Sequence, residues 1–278
     1  MARITSKTWN KYIRLLKRLS DRAAKEMLSF STNYETAYKA GLITLEEYED
    51  ALVDFAYALA TRYGEGAGAA ACEMYDTIAE LQGVSVPPAI PAVTATMPET
   101  AKTVVGAMKT GNLDVVSGAV GRLVKQAGAD TTLQNAKRDG AYFAWVSRGD
   151  TCAYCLTLSA LGWQKAGELT LEGGHAEHIH ANCDCEYVVD FKGDLEVQGY
   201  DPDELNAEII GMTEGEWSAD DIITMSGHNS KGHEHGPLNE IRRKFYAKNK
   251  DEINAQKRSA YAKRMERESS EAEEINVD

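Results

Sequence analysis

The sequence predicts a mainly α-helical protein that carries one small α+β module in its second half. Over most of the first 140 residues, apolar side chains recur every three or four positions, which is the spacing of one helix face. Around residues 142–146 and 187–191 the pattern changes to aromatic and β-branched residues, which favour short strands. Four of the five cysteines lie between these two segments. The module is therefore expected to be built around them.

The first helix is predicted to have one apolar face and one basic face. Its apolar positions have helical spacing and are Trp9, Tyr12, Ile13, Leu16, Ala23, Met27, Phe30 and Tyr34. Six cations with the same spacing form what we call the basic face: Lys7, Lys11, Arg14, Arg18, Arg22 and Lys25.

A second helix is predicted to pair with the first in an N-terminal helical hairpin or bundle over residues 1–82. Gly41 ends the first helix, and Thr44 with Glu47 forms a capping box that starts the second. Because glycine disfavours helix, the series Gly64, Gly66 and Gly68 predicts an interruption before Leu81. The apolar face of the second helix begins with Leu45, Tyr48, Leu52, Phe55 and Leu59.

A proline-rich linker or strap is predicted over residues 83–98, because four of the six prolines fall there. Three shorter helices are expected next, at 99–110, 113–127 and 131–139. Helices in the range 99–210 lead into the module, whose core spans 141–191, and Asp201-Pro202 opens a further helix that extends to about Ile210. Residues 211–236 are predicted to form a loop, and 237–278 a basic helix with an acidic tail.

Charge is distributed unevenly along a chain whose formal net charge is −13. Residues 1–20 carry six Lys or Arg and no acid, and residues 237–267 carry ten basic and four acidic side chains. An acidic body with two basic arms suits assembly with charged partners. No apolar run reaches the roughly 20 residues of a membrane span, and no secretory signal is recognised, so residence in the cytosol is expected.

The cysteine cluster has the spacing of a metal site. Cys152 and Cys155 are separated by two residues, so one turn can direct both sulfurs to the same point. After 24 intervening residues come His180, Cys183 and Cys185. Thiolate and imidazole ligands favour tetrahedral Zn²⁺, so a structural zinc is predicted. Cys152 and Cys155 rank first as ligands, and the choice of the other two among His180, Cys183 and Cys185 stays open.

Two alternatives to a structural zinc stay open at this point. The same cysteines could form disulfides or remain buried thiols. A metal-dependent DNA nuclease is the rival function, because three further histidines cluster in a Gly- and Ser-rich loop. The candidate nuclease ligands are His228, His233 and His235.

Four motifs taken together resemble the Mu F-like minor head proteins of tailed bacteriophages. The motifs are Asn135-Ala-Lys-Arg138, Trp145-Val-Ser-Arg148, Asp150-Thr-Cys152-Ala-Tyr-Cys155 and His178-Ile-His-Ala-Asn-Cys183-Asp-Cys185. Residues 130–205 carry this likeness, although Ala181 stands where many members have proline.

The resemblance implies a structural protein without catalytic activity, used in head morphogenesis and in DNA packaging or delivery. It implies the phage portal or major capsid protein as partner, with DNA as a further partner of the basic arms and no membrane association. The implied location is the virion, in the head interior or at the portal vertex, after assembly in the host cytoplasm. The fold class is thus mainly α with a small zinc-stabilised α+β module and a C-terminal basic helix.

Overall fold

A computed structural model describes residues 2–147, 153–167, 185–215 and 218–221, together with helical positions between 241 and 259. The chain divides into two compact units, Met1–Leu205 and Asn206–Asp278. The described part is mainly helical with small sheets, as the sequence predicts. In chain order its elements are β1 (Arg3–Ile4), α1 (Ser6–Lys39), α2 (Leu45–Leu81), α3 (Met97–Met108), α4 (Leu113–Asp139), β2 (Tyr142–Val146), α5 (Ala153–Ala160), β3 (Gln164–Lys165), β4 (Glu186–Asp190), β5 (Glu196–Val197) and α6 (Pro202–Met212).

Helices α1, α2 and α4 pack against one another as a three-helix bundle. The rings of Phe30 and Phe55 stack at 4.0 Å and those of Tyr38 and Tyr48 at 5.4 Å, so α1 and α2 run antiparallel from their short connection. The predicted hairpin is therefore present, with α4 as its third member. Most of the predicted apolar face of α1 is buried: Trp9, Tyr12, Ile13, Leu16, Ala23 and Met27.

Two helices are longer than the sequence predicts. Helix α2 runs without a break from Leu45 through its glycines to Leu81, and Thr44 and Glu47 form the expected capping box. Helix α4 is one helix from Leu113 to Asp139, so the predicted gap between 127 and 131 is wrong. Glycine costs roughly 1 kcal/mol in an isolated helix interior, and tertiary contacts at these positions offset that cost.

The glycines of α2 let another backbone segment approach the helix. A Cβ added at Gly64 would lie 2.9 Å from Thr94 Cγ2, and one at Gly68 would lie 3.3 Å from Pro91 Cβ. Thr94 and Pro91 belong to the extended segment 84–96, which we call the strap. Gly64 and Gly68 therefore form one contact with the proline-rich segment, whereas Gly66 faces Leu19 of α1.

Side chains of α2 and α4 hold the strap by hydrogen bonds to its backbone. Asn135 accepts from Ile90 N at 3.0 Å and donates to Ile90 O at 2.8 Å, as a neighbouring strand would. Thr131 Oγ1 accepts from Ala92 N at 2.9 Å. The strap thus returns along the bundle from the end of α2 towards α3.

The larger sheet has the order β3-β2-β4 with antiparallel pairing throughout. Alternation along the register Phe143↔Val189 and Trp145↔Tyr187 places these four side chains on one face. A second, two-stranded sheet pairs β1 with β5 in parallel. The first residues of the chain are therefore joined to the segment that follows the module.

A buried hydrogen-bond network joins the larger sheet to the end of α2. Gln82 Nε2 donates to Asp190 Oδ1 at 2.6 Å, and Gln82 Oε1 accepts from Phe191 N at 2.9 Å. The Asp190 carboxylate is fully buried and also accepts from the backbone N–H groups of 192, 193 and 195, at 2.9, 2.9 and 3.0 Å. One aspartate thus fixes the turn after β4 and docks it on the bundle.

The second unit has local contacts of its own. Asn206 Oδ1 accepts from Ala219 N at 2.9 Å, and Lys244 forms an ion pair with Glu214 at 2.9 Å. The described positions between 241 and 259 have helical backbone, as predicted for this part of the chain. Among the described residues, none of the helices combines the length and apolarity that crossing a bilayer requires.

Candidate metal centre

The face of the larger sheet that bears Trp145 carries an aromatic cluster. Phe143 and Trp145 meet edge to face with ring centroids 4.8 Å apart, and Tyr187 lies 6.0 Å from Trp145. Cys185 comes one residue before β4, so alternation places it on the side of Tyr187. The candidate metal centre is therefore expected on this face of the sheet.

Helix α5 brings Cys155 to this region. Cys155 is fully buried, and Ser159 follows one helical turn later on the same side of α5. Ser159 Oγ accepts from Ser147 N at 2.8 Å, just beyond the end of β2. Its carbonyl accepts from the hydroxyl of Tyr200 at 2.8 Å. Cys155 therefore lies on a helix fixed at both the sheet and residue 200.

Tyr200 is a half-buried tyrosine whose pKa is influenced by Cys185. Burial raises the pKa of Tyr200, and the nearby Cys185 thiolate raises it further. Cys185 itself is only 1% exposed. The two described candidate ligands are thus both buried, and the hydroxyl of Tyr200 bonds to the helix that carries Cys155.

The chemistry around these cysteines fits a bound metal thiolate. Trp145 is 6% exposed, and its indole Nε1 has no hydrogen-bond partner in the described part of the chain. A buried donor without an acceptor is costly, and a metal-bound thiolate on the same face would be an acceptor for it. Buried thiolates are themselves stable only with compensating positive charge, which Zn²⁺ supplies.

The remaining candidate ligands, Cys152, His180 and Cys183, lie outside the described residues, as do the loop histidines His228, His233 and His235. Within the described ranges, no three His, Cys, Asp or Glu side chains come together as a metal site would require. Zinc therefore stays a prediction that Cys155 and Cys185 support by their placement. The fifth cysteine, Cys72, is a half-buried free thiol in α2, and burial raises its pKa.

Sequence reasoning missed the residues that position this region, namely Ser159, Tyr200, Gln82 and Asp190. Each acts by a hydrogen bond to a residue distant in sequence, and such pairs leave no periodic signal. Only Asp190 had a local indication, since Asp190-Phe-Lys-Gly193 has Asp at the first and Gly at the fourth position of a four-residue turn, where both are favoured.

The basic face of α1 is a second candidate site. All six of its members are exposed. Arg22 is paired with Glu26 at 3.3 Å, whereas no ion pair joins the other five to an acid in the described structure. Between α1 and α2 a cavity of about 100 Å³ opens beside Lys11 and Arg18.

A family model described as VG15 protein matches residues 3–209. No curated protein and no solved structure matches the chain. The match covers the bundle, the strap, the described strands and most of α6.

Proposed function

Because the chain belongs to the VG15 protein family, a family of viral and phage gene products, we propose that it is a structural and assembly protein of a tailed-phage head. In this role it is a minor head component that associates with the portal and acts in head morphogenesis and DNA packaging or delivery. The family match carries the proposal, because it spans three quarters of the chain rather than one motif. Membership supports a phage protein, and the likeness of residues 130–205 to Mu F-like minor head proteins supports the finer role.

The architecture supports a role in assembly. A bundle whose α1 exposes a row of cations beside a small cavity offers a surface for an oppositely charged partner. The proposed partners are the portal and the major capsid protein, with DNA as a further partner of the basic arms. The proposed location is the virion, at the head interior or portal vertex.

The proposed cofactor is one structural Zn²⁺. Cys152 and Cys155 would supply two ligands, and two of His180, Cys183 and Cys185 the others. The metal would supply cross-linking of two chain segments in a closed site, which contributes folding free energy. The burial of Cys155 and Cys185 supports this assignment, as does Nε1 of Trp145, which has no hydrogen-bond partner among the described residues.

The proposed role is not enzymatic. The nuclease alternative depends on His228, His233 and His235, and no observation on the described residues favours it.

Deletion of the gene from the phage tests the proposal. Purified wild-type particles should contain the protein in a few copies, and the deletion should lower the yield of infectious particles until the gene is supplied in trans. Quantitative mass spectrometry of particles, proheads and the unassembled fraction measures the first expectation, and plaque titre the second. Absence of the protein from both proheads and mature heads would refute a structural role.

A further inference from the structure

The exposed cations of α1 form a continuous surface on one helix. Lys7, Lys11, Arg14 and Arg18 lie three or four residues apart, so they share a face over about 16 Å of helix at 1.5 Å per residue. The Nε atoms of Arg14 and Arg18 donate to backbone carbonyls one turn earlier, which keeps both side chains along the helix. Their remaining guanidinium donors are available to an external acceptor.

The cavity between α1 and α2 opens within this surface. Leu15, Ala70 and Met74 supply apolar walls, and the exposed side chains of Lys11 and Arg18 border it. Its volume is about 100 Å³. An engineered cavity of about 150 Å³ in another protein holds benzene, so this one is of a size for a smaller aliphatic group.

We propose that the basic face of α1 and the α1–α2 cavity together dock an acidic surface of a head protein that inserts one aliphatic side chain into the cavity. The cations attract and orient the partner, and the inserted side chain fixes the register. This inference rests on the proposed function for the identity of the partner.

Two observations favour a protein over DNA as the occupant. The cavity has apolar walls, which suit a Val or Leu side chain, whereas the phosphates that would meet the cations carry no projecting aliphatic side chain. Glu73 also lines the cavity. Its carboxylate can accept a hydrogen bond from the backbone N–H of an inserted residue, and a phosphodiester has no such donor.

Binding measurements with purified full-length chain test the inference, with the phage's portal and major capsid proteins and a duplex DNA as separate probes. Lys11→Glu with Arg18→Glu should weaken binding to a head protein by at least about 100-fold, because attraction becomes repulsion. Thr77 is half-buried and lines the cavity, so Thr77→Leu should fill the cavity and weaken binding to a head protein about tenfold. Lys102→Glu with Lys109→Glu makes the same change of charge at an exposed position of α3 and at its exposed C-cap, and should leave binding unchanged.

The outcomes separate this inference from the proposed function. If the wild-type chain binds a head protein and both test variants bind equally well, the docking face is wrong and the proposed function stands. If the charge reversal abolishes duplex binding while binding to the head proteins persists, the face is a nucleic-acid site and the inference fails. A wild-type chain that binds neither head protein contradicts both. Circular dichroism of each variant verifies that the helices are intact.

Discussion

Replacing Asn135 by alanine should release the strap from the bundle. Asn135 is 3% exposed, and its side chain pairs with both backbone polar groups of Ile90. A typical hydrogen bond contributes about 0.5 to 1.5 kcal/mol net, and a buried group left without a partner costs about 1 to 3 kcal/mol. Because two bonds to the strap are lost, we expect the free energy of unfolding to fall by about 2 to 4 kcal/mol.

Thermal unfolding and amide hydrogen exchange measure this effect. For a unit of this size, 1 kcal/mol corresponds to roughly 2 to 4 °C, so Tm should fall by about 5 to 15 °C. The amide of Ile90 should also exchange faster, because its acceptor is gone, while the amide of Ala92 is still bonded to Thr131. Asn33→Ala, at an exposed position of α1, is the matched control and should change stability by less than about 0.5 kcal/mol.

The reasoning would be refuted by an Asn135→Ala variant that keeps both the wild-type Tm and the slow exchange of the Ile90 amide. Such a result would mean that packing against the glycines of α2, rather than hydrogen bonding, holds the strap. A fall in Tm without faster exchange at Ile90 would instead point to damage within α4.

Four further predictions follow from other parts of the molecule. Elemental analysis of protein purified without added metal should find about one zinc per chain. The Cys155→Ser variant should lose this zinc, and the Cys72→Ser variant should retain it. A wild-type protein that is fully folded without metal would contradict the zinc assignment. Asp190→Ala should lower the free energy of unfolding by about 3 to 5 kcal/mol in urea titration, because the backbone donors of one turn lose their common buried acceptor. Hydrogen bonds from Arg138, and then from Tyr75, lower the pKa of Asp139. The ionised carboxylate therefore stabilises the fold above about pH 4, and this stabilisation is lost as pH falls through the pKa of Asp139 in the folded protein. Asp139→Asn should make the free energy of unfolding depend less on pH in the acid range, as measured by urea titration at a series of pH values. Purified protein should not nick plasmid DNA with Mg²⁺ or Mn²⁺, and nicking that disappears on replacing three histidines by alanine would favour the nuclease: His228, His233 and His235.

The local sequence pattern was sufficient to predict the helices that have strong amphipathic faces and clear capping residues. Thr44 with Glu47 predicted the start of α2 to the residue, and the buried face of α1 followed from spacing alone. The strands at 142–146 and near 187–191 were predicted from residue type, and β4 begins one residue earlier than expected. The reason is that these signals depend on neighbours within one or two turns.

Glycine positions show where local reasoning failed. Gly64, Gly68 and Gly128 favour a break when judged by propensity, yet all three lie inside unbroken helices. At Gly64 an added Cβ would meet Ala127 Cβ at 3.3 Å, so this glycine allows α2 and α4 to approach closely. The free energy that offsets the low propensity comes from a partner distant in sequence, which a local window does not contain.

The sequence by itself determined the helical class, the two faces of α1, the strands of the module and the cysteine pattern that predicts zinc. Only the tertiary structure decided that the strap lies against Gly64 and Gly68 of α2, that Gln82 and Asp190 join the sheet to the bundle, and that Cys155 and Cys185 are both buried. Periodicity and ligand spacing are properties of contiguous residues, so they can be read along the chain. Contacts between residues about 100 positions apart depend on how complete helices pack, and that is settled only when the whole unit folds.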